Sequence, residues 1–197
     1  PALWGPGRAS LVGAVAAALQ GEAPERRAEV LGKIALPGEE VTVLALADAV
    51  LEAPSAAERL PRELQRAVSA ALDAQALGHD PERVRRILTV KCRAAREPAD
   101  RMALTELLER AVGHHAGRVR QHVLRLLREH ADRERYLGAS RRLLRDPDPG
   151  VVRSAIRILA FGKVADAGEE IAGHLASHHP AVQRAARSLA EGRGRLL

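Results

Sequence analysis

Apolar residues recur along this chain at intervals of three and four, and no run shows the period-two alternation of branched side chains that marks a half-buried strand. Proline and glycine cut the pattern into short pieces of helix-forming composition. Helices are therefore predicted over 10–20, 24–36, 39–52, 61–77, 81–97, 98–112, 116–130, 132–145, 149–161, 166–176 and 180–191. The boundaries have local causes. Ser10 is placed to cap the first helix; Pro24, Pro61, Pro81 and Pro98 open later ones; Pro37-Gly38, Ala53-Pro54 and Gly78 close others. Links of a few residues force neighbouring helices antiparallel, so the chain reads as a succession of helical hairpins and its class as all-α.

The second helices of the later hairpins share a signature. Val119-Arg120 is followed by Val123 and Leu126, Val152-Arg153 by Ile156 and Leu159, and Val182-Gln183 by Ala186 and Leu189, one apolar face each time. A weaker copy is Val84-Arg85 with Leu88, where Lys91 falls on the stripe and Ile87 and Val90 can take the apolar role. A turn precedes each valine: His79-Asp80-Pro81, His114-His115-Ala116-Gly117, Asp146-Pro147-Asp148-Pro149-Gly150 and His178-His179-Pro180. The four valines stand 35, 33 and 30 residues apart, and two helices per unit at a nearly fixed period of this length mark an α-solenoid.

The stretch from Leu143 to Leu159, with its Asp-containing turn, Val152-Arg153 and the small Ser154-Ala155, resembles a HEAT repeat, and the unit from His178 to Ala186 is similar with Gln183 in place of the Arg. The resemblance is good over 98–192, suggestive over 61–97 and poor over 1–60. It implies a right-handed stack of about five antiparallel hairpins, a solenoid of residues 61–197 behind an atypical N-terminal cap of 1–60, in one continuous domain. It also implies that the Arg after the Val bonds the Asp of its own turn: Arg153 with Asp146 or Asp148, and Arg85 with Asp80. Arg120 has no Asp in its own turn. The family serves many purposes, so the fold it implies does not bring a function with it.

Composition agrees with helices. Ala and Leu together supply 65 of the 197 residues, whereas Trp4, Tyr136 and Phe161 are the only aromatics, which disfavours sandwiches and barrels. Trp4 is expected to pack over the first hairpin as a cap, with an anchor to another chain as the alternative. No stretch reaches the length of uncharged apolar residues that a membrane span needs, and the apolar run 9–19 ends without a small-x-small cleavage site. The single cysteine, Cys92, excludes an internal disulfide, which fits a reducing, cytoplasmic setting.

Charge is uneven. Residues 1–80 carry 7 basic and 11 acidic side chains, net −4; residues 81–197 carry 24 and 14, net +10, which sums to the overall +6. On the second helices the positions flanking the apolar stripe offer Arg86 and Arg93, Arg125 and Arg128, Arg157, and Arg184 and Arg187. Stacked hairpins would align them as a basic face, and guanidinium groups hold carboxylates or phosphates bidentately. The expected function is a non-catalytic scaffold or adaptor that binds another protein through an acidic patch or peptide. Ordinary solvated pairing with acids such as Glu82 and Glu129 is the plain alternative.

Nucleic acid is the competing partner, since DNA-repair proteins with HEAT-like repeats share this architecture; only phosphates would be its target, because three scattered aromatics make no stacking platform. A bilin-lyase-like enzyme is a further alternative implied by the family alone. No residue argues for catalysis: there is no nucleophile elbow, no phosphate-cradling glycine loop, and no base beside Cys92, for which packing or plain exposure is expected. Eight histidines include His174 and His178 at a four-residue spacing and His114, His115 and His122 near one turn. No H-E-x-x-H or Cys/His pattern joins them, and neither metal nor cofactor is expected.

Overall fold

Proline opens six of the helices. In the structure, a computed structural model describing residues 6–161 and 167–190, Pro6, Pro24, Pro81, Pro98, Pro149 and Pro180 are the first residues of α1 (Pro6–Ala18), α2 (Pro24–Ile34), α5 (Pro81–Ala94), α6 (Pro98–Ala111), α9 (Pro149–Phe161) and α11 (Pro180–Ala190). That position leaves no hydrogen bond unmade, because the first N–H groups of a helix lack intrahelical partners. The remaining helices are α3 (Glu40–Glu52), α4 (Arg62–Gln75), α7 (Gly117–His130), α8 (Arg133–Arg142) and α10 (Ala167–Ala172), with 3-10 turns at Pro54–Arg59 and Leu143–Arg145. Among the described residues no strand forms, and no helix is long and apolar enough to cross a membrane.

Some boundaries differ from expectation. α1 begins at Pro6, so Ser10 lies inside the helix and does not cap it. Pro54–Arg59 forms a 3-10 helix where only a break was expected. The helix expected over 132–145 tightens at Leu143, where the Asp146 N–H bonds the Leu143 carbonyl. The one expected over 166–176 keeps six residues, beyond which Gly173 introduces turns bonded from His174 to Ile171 and from Leu175 to Ala172.

The chain forms two compact units, one ending at Gly78 and one beginning at His79. In the first, α3 packs against α1, α2, α4 and the 54–59 turn. Its sequence is apolar nearly all round, which suits a central helix: Thr42, Val43, Leu46, Ala47, Ala49, Val50 and Leu51 are buried. Small residues let the neighbours close in, with Ala28, Ala49, Ala53 and Ala56 clustered. A Cβ on Gly32 would stand 2.8 Å from Leu60 Cδ2, so the glycine makes room for that leucine on α2. Helix α4, expected to begin the repeats at residue 61, packs on α3 in this first unit.

In the second unit α5 packs on α7, α7 on α9 and α9 on α11, while α6, α8 and α10 pack beside them. The shared stripe faces inward: Val84, Ile87, Leu88 and Val90, then Val119, Val123 and Leu126, then Val152, Ile156 and Leu159, then Val182 and Ala186 are all buried. Ile87 and Val90 replace Lys91 in α5 as the pattern required. Trp4 and the side chains of Phe161 and Leu189 lie outside the described part of the structure.

Candidate basic interface

Burying one stripe of each second helix leaves another exposed or half-buried. On α5 the outward positions are Glu82, Arg86, Thr89 and Arg93; on α7 they are Arg118, Gln121, Arg125 and Arg128; on α9 they are Ser154 and Arg157. Two side-chain bonds tie these stripes into one face. Gln121 Nε2 donates to Ser154 Oγ at 2.9 Å across α7 and α9. Thr89 Oγ1 on α5 is 3.0 Å from His122 Nε2, and His122 Nδ1 is 3.0 Å from an Arg125 nitrogen. Arg86 and Arg93 therefore flank the Thr89 contact. Arg125 and Arg157 each stand one turn beyond the Gln121–Ser154 bond, on adjacent helices.

All seven arginines expected on the face, Arg86, Arg93, Arg125, Arg128, Arg157, Arg184 and Arg187, are exposed. Among the described residues only Arg86 has a carboxylate within ion-pair distance, Glu82 at 3.9 Å. No described side-chain bond links Arg184 and Arg187 of α11 to the α9 stripe. The sequence reading passed over Arg118, which precedes the valine, and over Gln121 and Ser154, whose identical place after Val119 and Val152 is the signal that could have paired them.

The turns are built from acids differently from expectation. Asp80 does not bond Arg85; its carboxylate accepts the Glu82 and Arg83 N–H groups at 2.9 and 3.2 Å and so caps α5. Arg85 bonds Glu82 on its own helix at 2.9 Å. Nor does Arg153 take Asp146 or Asp148. Asp146 is held by Arg120, Nε and Nη2 each 2.6 Å from one carboxylate oxygen, and Asp148 accepts the Gly150 N–H at 2.8 Å. The physical reason is direction: Arg120, which lacks an Asp in its own turn, reaches the turn of the following hairpin and finds one there. Arg85 and Arg153 occupy the same place, but the turns after them offer His114 and Ser177 where Asp146 stands, and both Nε atoms are buried without a hydrogen-bond partner. The equivalence is visible in the backbone: His114 Nδ1, Asp146 Oδ1 and Ser177 Oγ each accept the N–H two residues on, at 3.0, 2.8 and 3.2 Å.

The Arg120–Asp146 pair lies inside the protein, with side chains 10% and 3% exposed. Arg120 Nη1 also donates to the His114 and His115 carbonyls at 2.6 and 2.8 Å, so the guanidinium is well satisfied. Asp146 raises its pKa above the ordinary arginine value despite burial. Gly117 completes this joint, because a Cβ there would overlap the Asp148 carboxylate and approach its Cβ to 3.0 Å.

His122 is buried, and desolvation together with Arg125 and Arg85 lowers its pKa to about 4, keeping the ring neutral. Cys92 is buried rather than exposed, and burial, with a smaller push from Glu129, raises its thiol to about 12. His174 and His178 form no ligand cluster; among the described residues no group of three or more His, Cys, Asp or Glu is placed to hold a metal ion.

No family model and no curated protein matches the chain. Among solved structures it is similar to an engineered protein determined by the Northeast Structural Genomics Consortium, at 20% identity and a TM-score of 0.44, over 93% of this chain and 97% of that one. A likeness at that level assigns neither repeat family nor function.

Proposed function

We propose that this protein is a non-catalytic scaffold of the helical-repeat kind, whose second unit stacks HEAT-like hairpins and holds an acidic patch or peptide of another protein on its arginine face. One observation carries the reading: six of the seven arginines expected on that face have no carboxylate within ion-pair distance among the described residues. A solvated surface built only for solubility tends to intersperse both signs; here the cations outnumber the acids, and Gln121 and Ser154 supply neutral donors and acceptors between them. The consecutive packing of α5, α7, α9 and α11 supports a solenoid, and a lone buried thiol suits a cytoplasmic protein.

The described face carries no aromatic side chain, which disfavours stacked single strands and leaves the phosphates of a duplex as the competing ligand. Tyr136 lies on α8, outside the stripes that form the face. The test is fluorescence anisotropy with a labelled oligoglutamate peptide and with labelled duplex and single-stranded oligonucleotides, at about 50 and 200 mM salt. Binding of the peptide with equal or weaker binding of the oligonucleotides supports the proposal. Tighter oligonucleotide binding with a steep salt dependence would replace it with a phosphate-binding role.

A further inference from the structure

The proton on His122 can be placed from its neighbours. A guanidinium has only N–H donors, and an Arg125 nitrogen stands 3.0 Å from His122 Nδ1, so Nδ1 accepts and the ring hydrogen is on Nε2. Nε2 then donates to Thr89 Oγ1 at 3.0 Å, and Thr89 donates its own hydrogen to the Arg85 carbonyl at 2.9 Å. Each bond has one possible sense, and the series runs from a backbone oxygen of α5 to an exposed guanidinium of α7. The charges acting on the ring are Arg125 and Glu129 from α7 and Arg85 from α5; none from α6, α8 or α9 acts on it among the described residues.

Arg125 therefore differs from the other arginines of the face. Arg93, Arg128, Arg157, Arg184 and Arg187 have no such anchor among the described residues, and Arg86 has a long contact with an exposed acid. Ordering a long side chain opposes binding, and a side chain already ordered avoids that loss. With one N–H directed at His122, the remaining donors of Arg125 can meet a carboxylate.

We infer that His122 is a positioning residue that holds Arg125 ready as the anchor for a carboxylate of the acidic partner. The inference rests on the reading of the face proposed above. The two ring nitrogens can be tested apart. In His122→Asn the amide oxygen falls near the place of Nδ1, which keeps the acceptor for Arg125 and gives up Thr89; in His122→Gln the amide falls near Nε2, which does the reverse.

Both variants, Arg125→Gln and wild type are titrated against labelled oligoglutamate, and the guanidinium signals of Arg125 are followed by nitrogen-detected NMR. Wild type and His122→Asn should bind alike with a slowly rotating Arg125 guanidinium. His122→Gln and Arg125→Gln should each bind about fivefold more weakly, and in His122→Gln the guanidinium signals should average. Equal binding by the Asn and Gln variants overturns the positioning role while leaving the face intact. Absence of any wild-type binding overturns the face itself. Should the His122 variants fail to fold, an averaged Arg125 guanidinium in the wild type overturns the inference.

Discussion

Arg120 and Asp146 lie 26 residues apart in sequence and meet in two parallel hydrogen bonds of 2.6 Å, which join the hairpin containing α7 to the turn that opens α9. Removing either partner leaves an uncompensated buried charge. Asp146→Ala and Arg120→Met are each expected to lower unfolding stability by about 3 kcal/mol. The double variant should lose clearly less than the sum, because the second substitution removes the charge the first one stranded. Urea denaturation of the four proteins measures the coupling.

The joint between α9 and α11 lacks this lock. Ser177 occupies the place of Asp146 and accepts the His179 N–H in the same way, while Arg153 Nε is buried with no partner. Ser177→Asp should keep the turn and supply the missing acceptor, raising stability by about 1 kcal/mol. The gain should vanish in an Arg153→Met background, which thermal unfolding of the two pairs would show.

His122 makes stability depend on pH in a defined direction. Its folded-state pKa of about 4 lies below the ordinary 6.5, so the unfolded chain binds the proton more readily. The neutral ring's contribution is intact above about pH 6.5, declines as pH falls, and is gone near pH 4. The loss through that window is about 3 kcal/mol. Chemical denaturation at stepped pH should give a shallower acid-side slope for His122→Asn than for wild type, the difference being confined to that window.

Cys92 should be a silent thiol. Burial, helped by Glu129, lifts it to about 12, so almost none is thiolate at neutral pH. An aromatic disulfide reagent should label the native protein only as fast as it opens, and labelling should become immediate in denaturant. Rapid labelling of the folded protein would contradict the packing described for α5.

Much of the helical plan was legible because proline and glycine punctuate it. Pro24, Pro81, Pro98, Pro149 and Pro180 start helices where the sequence placed them, and the valine stripes are buried in the order read. Pairing was less legible. Asp80, Asp146 and Asp148 each stand beside a helix N-terminus in sequence, and all three accept backbone N–H groups there, but Asp146 also holds Arg120 of the preceding hairpin. Which acid meets which Arg depends on how one hairpin is set against the next, and that is invisible in a single repeat. The Thr89, His122 and Arg125 network escaped for the same reason, since it joins two helices whose residues lie 33 apart. Exposure of the seven arginines followed directly from the stripe, because positions opposite buried valines must face water.

Charge reversal on the face is the decisive measurement. Anisotropy titration of labelled oligoglutamate at about 50 mM salt should compare wild type, Arg125→Glu/Arg128→Glu/Arg157→Glu, and a control carrying Arg62→Glu/Arg66→Glu on the exposed side of α4. Binding retained by the control and abolished by the triple variant is the expected result. Equal loss in both variants would reduce the face to net charge alone, and equal retention would contradict it outright.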